Sequence, residues 1–319
     1  MPPQSAAASG CGSGGSSHDW RLVVSLRFFP AILSVRLLPE PFSVRASGKP
    51  MKHLKSSLSD LRHFFSHTIT VRDIAEPLAS FDADQEGKDV RAVLEKRNFD
   101  VAGVRHEGIT VGFVRRTEIA DGKLRRSMHD FTDGSIVPDT APLSVVFGSL
   151  GGHDPAFVTI LGKVGAIVSR GDLQKAPVRM WLFSLVSLIE MQLVRLIRDH
   201  HPNDSWLPFV SPARVESAGR RHRDRQKRNE ETQLIDCLQL CDKRDILVKS
   251  TLLRQAVALG PKDDARNLLI EVEELRNDLA HANDIIRGRW PSMIDLVARM
   301  EALLGAMERA GERKSRGFS

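Results

Sequence analysis

The chain has 319 residues, and its 46 lysines and arginines against 40 aspartates and glutamates give a formal net charge of +6. The length predicts roughly two domains, and 41% hydrophobic with 27% charged residues is an ordinary globular composition. The absence of tyrosine and an aromatic content of 6% argue against an RNA-binding surface of stacked rings. Three cysteines, Cys11, Cys237 and Cys241, exclude a disulfide framework and favour a reduced, cytoplasmic protein.

Residues 1–50 are rich in serine, glycine, alanine and proline, which predicts a disordered or spurious extension. An apolar stretch at 20–38 carries three arginines and Pro30, and each arginine at a bilayer centre costs about 2.5–3.5 kcal/mol. No basic region precedes this stretch, as a secretory signal requires. Clear hydrophobic periodicity begins after Met51, so Met51 is a candidate start of translation, and no membrane association is expected.

An internal repeat relates two segments that lie 54 residues apart. Residues 100–119, DVAGVRHEGITVGFVRRTEI, align without gaps with residues 154–173, DPAFVTILGKVGAIVSRGDL. Chance gives about one identity in twenty positions, whereas six are found here. The identical pairs are Asp100/Asp154, Ala102/Ala156, Val104/Val158, Gly108/Gly162, Val114/Val168 and Arg116/Arg170.

Each copy has the pattern of a helix followed by a strand, a glycine turn and a second strand. In the first copy the pattern predicts a helix at 89–97 and strands at 101–105 and 110–114. In the second copy it predicts a helix at 142–150 and strands at 157–160 and 164–168. Because each unit is too small to bury its own sheet face, we expect the two to pack as a pseudo-twofold pair.

The end of the second copy, Val168-Ser169-Arg170-Gly171-Asp172-Leu173, resembles the signature of tandem cystathionine-β-synthase (CBS) domains. The resemblance implies a module at 51–178 of two β-α-β-β-α units, with copies at about 68–120 and 135–178. It also implies that Ser169 and Asp172 hold the phosphate and ribose of an adenine nucleotide, AMP, ADP or ATP. A strand-end hydroxyl and helix N-terminal amides donate to phosphate, and a carboxylate accepts from ribose hydroxyls.

Three positions depart from that signature. Arg115 and Glu118 stand where the first copy should have its hydroxyl and its aspartate, which predicts a degenerate site or a different ligand there. Ala166 replaces the usual glycine of the second copy and narrows the space above an adenine. Ser-x-x-Asp is also an ordinary helix N-terminal signal, so a ligand-free structural role stays open.

The remaining residues, 179–319, are predicted to be helical. The long apolar helix at 179–198 is interrupted by Glu190, which favours a buried bundle helix over a membrane span. Further helices are predicted at 234–253, from Lys262 onward and at 293–307. A basic run could contact RNA phosphates, although a solvated helix face is the commoner explanation. The run comprises Arg220, Arg221, Arg223, Arg225, Lys227 and Arg228.

The helix that begins near Lys262 carries a single apolar stripe, formed by Leu268, Val272, Leu275 and Leu279. At 100° per residue, Asn277 and His281 fall within about 40° of each other and roughly opposite the stripe. Arg276 lies between them and the stripe. The string Arg276-Asn277-Asp278-Leu279-Ala280-His281 matches the RNxxxH motif and resembles the HEPN family (higher eukaryotes and prokaryotes nucleotide-binding).

This second resemblance implies a HEPN-like all-α bundle at 179–319 that acts as a metal-independent endoribonuclease. The 2′-hydroxyl of RNA would attack the adjoining phosphate and leave a 2′,3′-cyclic phosphate and a 5′-hydroxyl. His281 would be the general base or acid, Arg276 would neutralise the charge that builds on the phosphorane, and Asn277 would orient His281 or the phosphate. No metal or other cofactor is needed for the chemistry. A homodimer would bring two motifs to one cleft.

Together these patterns predict a multidomain protein, α/β followed by all-α, in which nucleotide binding to the CBS pair regulates RNA cleavage by the bundle. Such regulation requires the ligand to favour one arrangement by about 1–3 kcal/mol. The alternative is a non-enzymatic adenine-nucleotide sensor or interaction protein, whose helical bundle dimerises or docks a partner.

Overall fold

The computed structural model describes residues 60, 63–64, 67–281, 283–286 and 289–316. The predicted extension at 1–50, with its apolar stretch and Cys11, lies outside the described residues, as does Met51. Cys237 and Cys241 are free thiols, and burial followed by the nearby Asp242 carboxylate raises the pKa of Cys241.

Two small α/β units follow one another along the chain. The first contains β1 (Glu76–Pro77), β2 (Ser80–Asp82), α1 (Gly87–Arg97), β3 (Val101–His106) and β4 (Ile109–Arg115). The second contains β5 (Ile136–Pro138), α2 (Leu143–Gly152), β6 (Ala156–Ile160) and β7 (Lys163–Val168). The predicted order of helix, strand, turn and strand is confirmed in both units.

The six identities of the repeat have a structural reason. Four of them lie in the hydrophobic core or in a hairpin turn. The alanine and the two valines of each copy are fully buried, and the glycine of each copy lies in the turn between two paired strands. Both central turn residues have positive φ, 49° and 76° at Glu107-Gly108 and 51° and 79° at Leu161-Gly162, as tight hairpins favour. A register shift also follows Val104 and Val158, so the irregularity is repeated as well.

The two units are joined by strand pairing. The first sheet has the order β2-β3-β4, with β2 parallel to β3. The second sheet has the order β1-β7-β6-β5, so β1 of the first unit pairs antiparallel with β7 of the second. This crossing holds the end of β7, and therefore Ser169, beside residues 76–79 of the first unit.

Six α-helices are described after the second unit. They are α3 (Ala176–His200), α4 (Pro212–Lys227), α5 (Leu240–Lys249), α6 (Thr251–Ala256), α7 (Lys262–Ala280) and α8 (Trp290–Arg316). The long helix α3 packs against α5, α7 and α8. The predicted apolar stripe of α7 is confirmed: Leu268, Val272 and Leu275 are buried and Leu279 packs against the same core.

Helix α3 is long and apolar enough, by length and composition alone, to cross a membrane, and it is the one described helix that meets this test. Most of its apolar segment is buried inside the protein, as predicted for a bundle helix. The polar interruption at Glu190 is compensated, because its carboxylate lies 2.6 Å from Nζ of the buried Lys243. A buried ammonium needs such a partner.

The predicted helix at 234–253 is wrong in one respect. It is divided into a 3-10 turn at Leu234–Cys237, α5 and α6. Gln239 and Ser250 interrupt it, since the Gln239 amide donates to the Asp242 carboxylate and the Ser250 hydroxyl accepts from the amide of Leu253. These are capping contacts, and they begin new helices.

The second unit shares its hydrophobic core with the helices, whereas the first unit has a small core of its own. Phe147 on α2 lies 5.4 Å from Trp181 on α3, measured between ring centroids, and 6.3 Å from Trp290 on α8. The predicted boundary at residue 178 falls within the first turn of α3. Movement of α2 is therefore expected to reach the helical region directly.

Candidate functional site

A cleft of about 750 Å³ opens where the two α/β units meet, within the range of small-molecule sites. Its lining comes from four stretches of chain that the crossing of β1 brings together. These are residues 76–79, residues 98–101 with Arg115, residues 154–155 and residues 167–171, except for Val168. Apolar side chains such as Leu78 and Ile167 share the lining with charged ones, so the cleft can hold a ligand with both a flat apolar and an anionic part.

Ser169 lies in this lining, as the sequence predicts for a nucleotide contact. The Asp172 carboxylate binds groups of its own turn. It accepts from the Ser169 amide at 2.7 Å and from the Ser169 hydroxyl at 2.8 Å, and Lys175 Nζ lies 2.9 Å away. Burial alone would lower the pKa of Lys175, but its contacts with the carboxylates of Glu76 and Asp172 outweigh burial and raise it.

The same Ser/Thr-x-x-Asp form occurs at the start of the first unit, where the Thr70 amide donates to the Asp73 carboxylate at 2.7 Å. This second copy of the capping box belongs to a 3-10 turn, and none of its residues lines the cleft described above. The box alone therefore stabilises a turn. What distinguishes the box at 169–172 is that Ser169 lines the cleft, whereas Asp172 follows the lining residue Gly171 and is not itself part of the lining.

Two arginines converge on Asp154 at the cleft. Arg170 Nε lies 3.0 Å from the Asp154 carboxylate, and the Arg115 guanidinium donates to the Asp154 carbonyl at 3.2 Å. Arg170 is thus paired with a carboxylate and Arg115 only with a backbone carbonyl, so donors of both guanidinium groups remain for an anionic ligand. In the sequence, Arg170 and Asp154 stand out only as identities of the repeat. Their counterparts Arg116 and Asp100 form an ion pair at 2.7 Å, so the repeat itself is the signal that indicates the pairing.

The equivalent position in the first unit, for which the sequence predicts a degenerate site or a different ligand, has other contacts. Glu118 does not close a capping box; its carboxylate lies 2.5 Å from Nε2 of His129. The rings of Phe113, Phe131 and Phe157 pack against one another beside it, with centroids 4.7–5.9 Å apart. Aromatic side chains of the protein therefore occupy space next to this position.

Helix α7 ends at Ala280, so His281 lies one residue beyond it, and its amide donates to the Asn277 carbonyl at 3.0 Å. Asn277 and His281 are exposed, as their position opposite the stripe predicts. Arg276 is half-buried, and its Nε is buried without a hydrogen-bond partner among the described residues. The guanidinium therefore keeps an unused donor.

Arg179 at the start of α3 holds this end of α7. Its guanidinium donates to the carbonyls of Asp278 and Leu279, both at 3.2 Å, and of Asn283 at 2.8 Å. The last carbonyls of a helix have no partner within the helix and favour a nearby cation. The chain that leaves the second unit thus fixes the backbone that carries His281.

The basic run lies on the C-terminal half of α4 and the residue after it. Arg221 donates to the Cys237 carbonyl at 2.8 and 3.0 Å, and Arg225 lies 3.7 Å from the Glu230 carboxylate, so these two hold the following loop. The remaining four are exposed: Arg220, Arg223, Lys227 and Arg228. Three of these four are in exposed ion pairs, Arg220 with Glu216, Lys227 with Asp224 and Arg228 with Glu230.

No protein-family model matches the chain, and no curated protein matches it. Several solved structures are similar to part of it. The CBS domain of a bacterial CNNM/CorC family Mg2+ transporter in complex with ATP is 15% identical, with a TM-score of 0.30, over 36% of this chain and 91% of that one. CBSX2, a CBS-pair protein from Arabidopsis thaliana, is 18% identical in its complex with AMP, with a TM-score of 0.31, over 35% and 97%. A hemolysin-like CBS protein of Oenococcus oeni is 14% identical, with a TM-score of 0.30, over 36% and 94%.

Proposed function

We propose that the chain is a nucleotide-responsive regulator in which a tandem CBS module at 51–178 binds an adenine nucleotide and acts on the helical region at 179–319. The observation that carries this proposal is the cleft at which Ser169, Arg115 and Arg170 meet. The ATP- and AMP-bound CBS structures named above are consistent with that ligand class.

The chemistry of the lining suits each part of a nucleotide. Leu78 and Ile167 offer apolar contact to a base, and the Ser169 hydroxyl with the two arginines offers donors to phosphate. An ionised carboxylate has about four acceptor positions. Asp172 lies just beyond the lining residue Gly171 and uses three of them, on the amide and hydroxyl of Ser169 and on Lys175, so one remains for a ribose hydroxyl.

Equilibrium dialysis of the full chain with AMP, ADP and ATP tests the proposal. Loss of a hydrogen bond to a charged group costs about 1.5–3 kcal/mol, so Asp172→Ala should weaken binding about 10- to 100-fold. Asp73→Ala is the matched control, because it removes the same capping carboxylate away from the cleft. Equal affinities of wild type and Asp172→Ala, or equal losses in both variants, would contradict nucleotide binding at this site.

RNA cleavage at the end of α7 is a second function, favoured by the exposure of Asn277 and His281 beside the half-buried Arg276. In this proposal His281 moves the proton, Arg276 neutralises the phosphorane and Asn277 orients the reacting groups, without a metal. A homodimer supplies the second histidine, and the exposed part of the basic run holds the RNA.

Acidic side chains adjoin this end of α7, and two of them are neutralised by ion pairs. The Glu273 carboxylate lies 2.6 Å from Arg244, and the Asp278 carboxylate lies 3.2 Å from Arg289. Because those charges are paired, their repulsion of an RNA phosphate is reduced.

Incubation of the purified chain with total RNA in EDTA, with and without nucleotide, tests the second function. His281→Ala should abolish cleavage, whereas His106→Ala, an exposed histidine at the end of β3, should leave it unchanged. If wild type does not cleave under any nucleotide, or His281→Ala cleaves equally well, the helical region is instead a surface for dimerisation or partner docking.

A further inference from the structure

We propose that Arg170 couples a phosphate-bearing ligand in the cleft to helix α8. A bound phosphate draws the Arg170 guanidinium away from Asp154 and Trp290, and the contact between the second unit and the helical region weakens. This inference rests on the proposed nucleotide site, because it requires a phosphate group beside Ser169.

Arg170 lines the cleft and makes two contacts that a ligand would bring into competition. Its backbone follows Ser169 in the cleft lining, its Nε lies 3.0 Å from the Asp154 carboxylate, and its guanidinium carbon lies 5.3 Å from the centre of the Trp290 ring. The side chain is about half exposed, so a ligand can reach it. Phosphate carries more charge than a carboxylate and binds guanidinium in the same two-point geometry, so it competes with Asp154 for Arg170.

Trp290 is well placed to transmit this change. It is the first residue of α8, it is only 7% exposed, and its ring stacks on Phe147 of α2. Phe147 in turn contacts Trp181 of α3. A cation over an indole ring stabilises its position, so removal of the guanidinium alters a packed junction of three helices.

Residues just after Arg170 make further contacts with the end of α7 and with the chain between α7 and α8. Gln174 donates to the Asp284 carboxylate, and Arg179 holds the carbonyls of Asp278, Leu279 and Asn283. Residues 170–179 thus contact the helical region at three places on either side of His281. A shift of Arg170 at the cleft therefore acts on the backbone next to the proposed RNA-cleaving residues.

Thermodynamic reciprocity provides the sharpest test. If Trp290 competes with phosphate for Arg170, then Trp290→Leu, a change outside the cleft, should tighten binding of ATP. Coupling between two sites changes affinity by about fivefold or more, so the Kd for ATP should fall by about that factor. Arg170→Ala should weaken ATP binding and abolish the ligand-induced change in amide hydrogen exchange at Asn283–Ile286. Arg125→Ala removes an exposed ion pair with Asp84 in the first unit, neither of which lines the cleft, and should leave both readouts unchanged.

Equilibrium dialysis and hydrogen exchange on the full chain, with ATP, AMP and inorganic phosphate as probes, separate the outcomes. If wild type binds none of the three, the nucleotide site itself fails, and the coupling fails with it. If wild type binds ATP but Trp290→Leu has unchanged or weaker affinity, the coupling alone is wrong. If Trp290→Leu does not fold, Arg170→Ala decides: a retained exchange response at Asn283–Ile286 overturns the proposal.

Discussion

Arg179 is expected to be a main support of the end of α7, and Arg179→Ala measures its contribution. Its guanidinium makes one short contact, 2.8 Å to the Asn283 carbonyl, and two longer ones, 3.2 Å to the carbonyls of Asp278 and Leu279. Hydrogen bonds to a charged group contribute about 1.5–3 kcal/mol, and a cation at a helix C-terminus adds about 0.3–1 kcal/mol. Because the side chain is partly exposed, we expect a total loss of about 2–3 kcal/mol.

Urea denaturation monitored by circular dichroism measures this loss, and thermal denaturation should show a decrease in Tm of about 4–10 °C. Arg220→Ala is the matched control, since its exposed pair with Glu216, four residues earlier on α4, contributes only about 0.3–0.5 kcal/mol. Hydrogen exchange of the His281 and Asn283 amides should accelerate in Arg179→Ala before global unfolding. If Arg179→Ala is as stable as Arg220→Ala, or if those amides exchange as in wild type, Arg179 does not hold this end of the helix.

Two further predictions concern the hairpin turns and the response to pH. Gly162→Ala should lower the free energy of unfolding by about 1–2 kcal/mol, because φ is +79° there and no atom lies within 4 Å of an added Cβ, so the penalty is conformational alone; a neutral result in urea denaturation would contradict this. Burial, followed by the neighbouring His200, lowers the pKa of His201 below its ordinary 6.5, so the folded state binds its proton less readily than the unfolded state. The stability it contributes is therefore complete above pH 6.5 and decreases as the pH falls through the lower folded pKa. Urea denaturation at pH 7.5 and 5.0 should show a smaller decrease in His201→Gln than in wild type, and equal decreases would refute the assignment.

The repeat made the α/β part predictable, because the identical residues are those with the strictest physical requirements. Ala102, Val104 and Val114 are fully buried with their counterparts, and Gly108 adopts a positive φ. Such positions tolerate few residue types, so two copies of one unit retain them and an ungapped alignment detects them.

The cleft was less predictable, because its lining depends on pairing between distant strands. β1 has only two residues, Glu76 and Pro77, too few to produce a periodic signal. Its pairing with β7 places residues 76–79 opposite Ser169. The convergence of Arg115 and Arg170 on Asp154 follows from that tertiary arrangement and is not visible in their spacing.

In the helical half, the long apolar helices were predictable, and the division between two shorter helices was not. Apolar periodicity predicted α3 and α7 well, because a buried stripe repeats every three to four residues. The same periodicity predicted one continuous helix where the structure has α5 and α6. The capping residues Gln239 and Ser250 are polar, and polar residues are also common on the surface of a continuous helix. The structure adds to the motif the exposure of Asn277 and His281 beside the half-buried Arg276, and the RNA assay decides their role.

The pairing of β1 with β7 also has a consequence for biosynthesis. Glu76 leaves the ribosome early, yet its partner Ile167 is synthesised 91 residues later. The sheet that carries Ser169 therefore stays without its edge strand until the second unit has emerged, and contacts so distant in sequence form slowly. We expect the first unit, with its separate small core, to fold during translation and to hold β1 ready, so that folding of the second unit and completion of the cleft occur in one step.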